Sequence, residues 1–344
     1  MESSMHITTQ SRRDFMKTWM ITVSLLPFKY DDLFALYRQT TNKKESSDFH
    51  YKYKTLSVDH LRELQEDIEK LKREGKLSDN EVYRSYIDNK DHRLPEDFPN
   101  AKSIIVMAIS TRLMFVNFHW NRKKHEIMIP PQYYDDGISL ENIQNTIHKK
   151  IIKEPGYKVV RAKKILLKRL AVRSGLGSYG RNNLCFVEGM GSYITLYAFY
   201  TDYKFEEDHW HGVRMLDNCK PCRLCVKQCP TEAISMRNFV IDVGRCIPLY
   251  NEVEGDFPKW IHRKAHNALM GCMMCQLHCP ANHDAYKLAG RLEDVTEEET
   301  RKVLNGTPDE KTLESLSKKL RGFYPASSND HFPVFTRNLR VLIG

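Results

Sequence analysis

Apolar and polar positions along this chain follow periods that change from segment to segment, and the changes mark its elements. Residues 57–76 place Leu61, Leu64, Ile68 and Leu71 among charged neighbours. This is the spacing of one helix face, with Ser57 as its cap. Residues 101–109 carry a continuous apolar run of strand length, which predicts a strand buried on both faces. Shorter strands are expected at 114–118 and 127–129, the second stopped by Pro130 and Pro131. A polar aromatic and acidic turn, Gln132-Tyr133-Tyr134-Asp135-Asp136-Gly137, follows. Residues 138–152 and 162–174 read as helices separated by Pro155-Gly156-Tyr157, and 192–201 as an aromatic-rich strand. Beyond Glu293 the pattern is charged and helical, ending in an amphipathic helix over 332–343. Strands alternating with helices predict a layered α/β domain over residues 51–205. A linker and leader (1–50) precede it, a cysteine-rich module (206–290) follows, and a helical tail (291–344) closes the chain.

The cysteine spacing changes this picture most. One run reads Cys219-Lys-Pro-Cys222-Arg-Leu-Cys225-Val-Lys-Gln-Cys229-Pro230. The other is Cys246, a gap, then Cys272-Met-Met-Cys275-Gln-Leu-His-Cys279-Pro280. C-x2-C-x2-C-x3-C-P is the spacing of two-cluster ferredoxins, in which the fourth cysteine of each run ligates the other cubane. The spacing therefore assigns Cys219, Cys222, Cys225 and Cys279 to one [4Fe–4S] cluster. It assigns Cys229, Cys246, Cys272 and Cys275 to a second. Zinc would use C-x2-C pairs but has no need of the repeated x3-C-P, and disulfides would not pack their cysteines so tightly. Of the nine cysteines only Cys185 is left over, a lone thiol in an apolar run that reads as a buried small hydrophobe.

A glycine-rich stretch, Gly175-Leu-Gly-Ser-Tyr-Gly180-Arg181-Asn182-Asn183, precedes the strand at 192–201. Its Gly-x-Gly-x-x-Gly follows a predicted helix, whereas a dinucleotide fingerprint follows a strand and opens a helix. Two readings stand: a tight turn that needs positive φ, and a loop that lets a large planar cofactor approach the backbone.

The chain of 344 residues carries a net charge of +9. That basic balance suits an acidic electron donor or a polyanion such as tRNA, although no RNA-recognition motif is present. Near the start, Ser11-Arg12-Arg13-Asp14-Phe15-Met16-Lys17 and the apolar residues 18–26 match a twin-arginine export signal. This predicts a membrane-associated, extracytoplasmic protein, with a cytoplasmic location as the alternative. No apolar stretch reaches the length of a spanning helix.

The glycine loop, Gly191-Ser192, the first cysteine run, Arg245-Cys246, and Gly271-Cys-x2-Cys-Gln-x2-Cys-Pro occur here in one order. That order resembles the corrinoid-dependent iron–sulfur reductases, which include epoxyqueuosine reductases and reductive dehalogenases. The resemblance implies an α+β fold in which a flavin-reductase-like cobalamin domain carries a ferredoxin-like double-cluster module. It implies that Gly175, Leu176, Gly177, Tyr179, Gly180, Arg181, Gly191 and Ser192 line the corrin, and that electrons reach it through both clusters from a low-potential donor.

The Asp-Tyr-His-Lys stretch of epoxyqueuosine reductases is replaced here by Ile129-Pro-Pro-Gln-Tyr133-Tyr134-Asp135-Asp136, and the Arg-Arg start is typical of dehalogenases. The expectation is therefore a dehalogenase-like reductive cleavage of a small organic substrate, with Tyr134 or Tyr133 as proton donor and a membrane-anchor partner. A tRNA-modifying epoxide reductase, for which tRNA would be the partner, ranks second. A non-catalytic two-cluster electron carrier is the remaining alternative. No histidine is assigned as a cobalt ligand.

Overall fold

The computed structural model describes residues 49–326 and 331–344. Its strands are β1 (Tyr51–Ser57), β2 (Ser103–Ser110), β3 (Met114–Trp120), β4 (Lys123–Ile129), β5 (Val159–Arg161), β6 (Ser178–Tyr179), β7 (Cys185–Phe186), β8 (Ile194–Thr201) and β9 (Gly290–Arg291). The longer helices are α1 (Leu61–Arg73), α2 (Glu81–Asp88), α3 (Leu140–Thr146), α4 (Leu167–Arg173), α5 (Glu297–Asn305), α6 (Glu310–Lys319) and α7 (Phe332–Ile343). The twin-arginine stretch lies outside the described residues. Among those described, no helix is long and apolar enough to cross a membrane.

The main sheet has the order β1-β2-β8-β5 and is antiparallel throughout. Its centre is β2, paired with β8 from Ser103↔Thr201 to Ser110↔Ile194. As the apolar run predicts, both faces of β2 are buried. Side chains alternate across a strand, so Ile104, Val106 and Ala108 join the core beneath α1 and α4. Ile105, Met107 and Ile109 pack instead on Ile143, Ile147 and Ile151. The expected helix over 138–152 is present as α3 followed by one wider turn, Ile147–Ile151.

Three elements differ from the sequence expectation. The segment placed between linker and helix is the edge strand β1, in which Lys52 and Lys54 are half-buried on the face of Leu56 and Tyr53 is exposed on the other. The strand expected at 127–129 extends back to Lys123, because Asn121 and Arg122 both take positive φ (51° and 58°) and close a two-residue hairpin. Asparagine tolerates that conformation, but arginine gives no hint of it. The helix expected from 162 begins only at Leu167, because Ala162 is held to the sheet through its N–H to Ala198 O.

A second sheet, β4-β3-β9, joins two stretches far apart in sequence: Met114 and Phe115 run parallel to Gly290 and Arg291. Val116, Phe118, Ile127 and Ile129 share one core with Val303, Leu316, Phe323, Phe335 and Leu339 of the C-terminal helices.

Candidate functional site

The cysteine module is made of single helical turns, Leu224–Gln228, Pro248–Asn251 and Met274–Leu277, linked by loops. Proline follows Cys229 and Cys279 and stops each cysteine run. Cys225 has Cys219, Cys279 and Cys222 as its charged neighbours, and burial with these thiols pushes it up to about 11. Cys246 has Cys272 and Cys229 beside it, and burial above all pushes it up to about 12. Cys275, raised further by burial, faces Cys272, Cys246 and Cys229. The thiols thus gather into the two crossed sets that the spacing assigns. Thiols held this far above neutrality ionise only when metal takes the proton's place.

Among the described residues no three His, Cys, Asp or Glu side chains converge on a single-ion site. Donors to sulfur are already in place: Ala233 N–H reaches Cys229 Sγ at 3.2 Å and Asn267 Nδ2 reaches Cys272 Sγ at 3.1 Å. Such bonds stabilise the negative charge of a reduced cluster.

The glycine loop is bolted to both sets. Arg181 Nη2 donates to the carbonyl of Cys219 at 2.6 Å, and Asn182 Nδ2 donates to that of Cys275 at 3.1 Å. Ser192 Oγ donates to Gln276 Oε1 at 3.0 Å, inside the second cysteine run.

The residues expected to line the corrin divide. Tyr179 and Ser192 border a half-open crevice of about 410 Å³, with apolar walls from Tyr83, Leu167, Leu184 and Phe239 and a few polar groups including Lys168 and Asn183. Leu176 is core. The glycines are accounted for by the chain's own packing. A Cβ on Gly177 would lie 2.7 Å from Cys185 Sγ, one on Gly180 would collide with the Phe186 ring, and one on Gly191 would collide with Asn282. Gly175, at φ +73°, is pressed against His211. Cys185 is a buried member of the core, as its apolar context implies, and burial pushes its thiol up to about 12.

The two tyrosines also differ. Tyr134 is buried, donates its hydroxyl to Arg112 O at 2.5 Å, accepts from Arg112 N–H at 3.1 Å, and is pushed up to about 12 by burial. The Tyr133 hydroxyl donates to the carboxylate of Glu252. Burial raises that carboxyl to about 7, and the Tyr133 hydrogen bond opposes the rise. The Tyr133 ring covers Gly271, where a Cβ would lie 2.7 Å from it, next to Cys272. Glu252 gave no signal in the sequence, where it is one acid among Glu252, Glu254 and Asp256. Its role follows only from which acid the fold turns inward.

Residues 218–282 match a family model described as a 4Fe-4S double cluster binding domain. The chain is 27% identical over 199 residues to an epoxyqueuosine reductase of Staphylococcus aureus, covering 54% of this chain and 49% of that protein. It therefore spans about half the length of that curated relative. A solved epoxyqueuosine reductase from Bacillus subtilis aligns with a TM-score of 0.59 at 19% identity, covering 92% of this chain and 81% of that one. Another, solved with an epoxyqueuosine-modified tRNA stem loop, aligns with a TM-score of 0.54 at 18% identity, covering 89% and 81%. These likenesses show a mixed α/β fold carrying a double-cluster module.

They also overturn the dehalogenase-like reading. The sequence relatives are named epoxyqueuosine reductases. The expectation of an iron–sulfur oxidoreductase agrees with the relatives, all named reductases. The sequence-level preference for dehalogenation leaned on the Arg-Arg start, which is outside the described residues, and on a missing four-residue motif. Both weigh less than similarity spread over 199 residues.

Proposed function

We propose that the protein is an epoxyqueuosine reductase-like enzyme that reduces an epoxide on a tRNA nucleoside, with electrons supplied through two [4Fe–4S] clusters. The observation that carries this reading is the set of bonds from Arg181, Asn182 and Ser192 to the two cysteine runs. They fix both cluster sites rigidly beside the crevice at Tyr179. Reduction of an epoxide to an alkene takes two electrons and two protons and releases one water. Two one-electron centres held next to a substrate crevice match that requirement.

Cobalamin is the cofactor we propose for the crevice, held against a flavin-reductase-like domain (51–205) and supplying low-potential metal-centred reduction when bound. Mostly apolar walls with a few polar groups, Tyr179 and Ser192 among them, are what cofactor sites use, and at about 410 Å³ the crevice would take one edge of so large a group. The glycines contribute by closing the loop on its own neighbours. Tyr133 is the proposed proton donor, with Glu252 placed to resupply its hydroxyl, and Gln132 beside it lines the crevice. Tyr134 stands further back, because its hydroxyl is engaged by the Arg112 backbone.

Between residues 149 and 168 seven lysines are exposed, namely Lys149, Lys150, Lys153, Lys158, Lys163, Lys164 and Lys168, and Glu154 is the one acid of that stretch. Lys168 also lines the crevice. This supports tRNA as partner, reversing the ranking drawn from sequence, and a tRNA substrate places the reaction in the cytoplasm. The test is tRNA binding against salt. Phosphate contacts by these lysines predict a steep linear fall of log affinity with log salt. Glutamate replacement of Lys153, Lys158 and Lys164 should flatten it, and binding that ignores both salt and these substitutions would remove tRNA from the reading.

A further inference from the structure

Tyr193 is fully buried, yet its hydroxyl has no hydrogen-bond partner in the protein. Leaving a buried hydroxyl unpaired is costly, so a group of this kind calls for an explanation. The surroundings supply one. The ring packs with Leu113, Met273 and Ala285, beneath the stretch that carries Cys275 and Cys279. Its backbone is held on both sides: Ser192 N–H donates to Asn282 Oδ1 at 2.7 Å, and Thr111 N–H donates to Tyr193 O at 2.9 Å. Burial raises the phenol's pKa, and Tyr286, Cys279 and Cys275 add to the rise. Cys279 belongs to one set and Cys275 to the other, so the hydroxyl stands where the two cluster sites meet.

We infer that Tyr193 donates a hydrogen bond from its hydroxyl to a sulfur of the cluster held by Cys279, and so raises that cluster's reduction potential. A cluster sulfur is the acceptor that the polypeptide lacks at this point. Each electron added to a cubane increases the negative charge on its sulfurs, so a donor there favours the reduced form. No proton is transferred, and Tyr193 acts as a positioning residue that tunes the cluster. The inference depends on the two clusters alone and is independent of the substrate proposed above.

The test uses the full chain with both clusters intact. Tyr193→Phe keeps the ring and removes only the O–H group, and equal iron and sulfide contents establish that both clusters are retained. After exchange into deuterated water and reduction, pulsed EPR should detect an exchangeable deuteron coupling that the Phe variant lacks. One cluster's reduced-to-oxidised ratio at fixed potential should fall about tenfold, which is 59 mV for a one-electron couple. Replacement of Tyr193 by a ring-fluorinated tyrosine, a stronger donor of the same shape, should move the potential the other way and serves if the Phe variant loses a cluster. Unchanged potentials in the fluorinated protein, or the same deuteron coupling in the Phe variant, would overturn the inference and assign the hydroxyl to a buried water.

Discussion

Ser192 and Asn282 hold each other reciprocally. The Ser192 N–H donates to Asn282 Oδ1 at 2.7 Å, and Asn282 Nδ2 donates back to Ser192 Oγ at 2.9 Å. Both residues are buried, and Asn282 Nδ2 also reaches Gln276 O at 3.0 Å. This pair clamps the start of β8 onto the second cysteine run. Asn282→Ala removes three partners at once and leaves buried polar groups unpaired, each worth about 1–3 kcal/mol. Anaerobic denaturation should show a loss of at least about 2 kcal/mol, larger than for Ser192→Ala, which leaves the backbone N–H bond to Asn282 in place.

The crossed thiol sets make a prediction that sequence neighbours would not. Cys229→Ala should remove the cluster shared with Cys246, Cys272 and Cys275 and spare the one formed by the nearby Cys219, Cys222 and Cys225. Cys279→Ala should do the reverse. Iron analysis with EPR spin counting on each variant reads this directly. Losing the same cluster from both variants would contradict the crossed assignment.

Glu252 gives the protein a pH dependence of definite sign. Its folded-state pKa, about 7, lies above the ordinary 4.5, so between those values the folded protein binds more protons than the unfolded chain. Its contribution is therefore fully present below about pH 4.5 and is lost as pH rises toward 7. The limiting slope is about 1.4 kcal/mol per pH unit, that of one proton. Melting temperature measured from pH 5 to 8 should fall with pH in the wild type. Glu252→Gln should flatten that part of the curve.

Tyr133 and Tyr134 are neighbours with different expected phenotypes. Tyr134→Phe strips the Arg112 carbonyl and N–H of a buried partner and should lower stability by about 1–2 kcal/mol while leaving most turnover. Tyr133→Phe removes the hydroxyl bonded to Glu252 and should also lower stability by about 1–3 kcal/mol, but it should cut turnover by about 100-fold or more. Melting curves and single-turnover rates on the two variants separate the roles.

The legible parts of this protein were those encoded by short-range spacing. The cysteine runs announce a double-cluster module by their intervals, and residues 101–109 announce a doubly buried strand by being apolar at successive positions. What escaped depends on long-range placement. Edge strand β1 (Tyr51–Ser57) is a strand only because β2 pairs with it. Glu252 matters because it faces Tyr133, 119 residues away. Tyr193 matters because Met273 and Ala285 close over it. The glycine loop was half legible: of its three glycines only Gly175 takes the positive φ of the tight-turn reading, while Gly177 and Gly180 are needed because Cys185 and Phe186 of the next strand press on them.

The most direct test of the central claim is anaerobic turnover of epoxyqueuosine-modified tRNA by protein reconstituted with both clusters and cobalamin, read by mass spectrometry of the digested nucleosides. The account predicts conversion to a nucleoside lighter by one oxygen atom, dependent on cobalamin and abolished in Cys279→Ala and Cys229→Ala. Unchanged epoxide, with both clusters present and reducible and cobalamin bound, would contradict it.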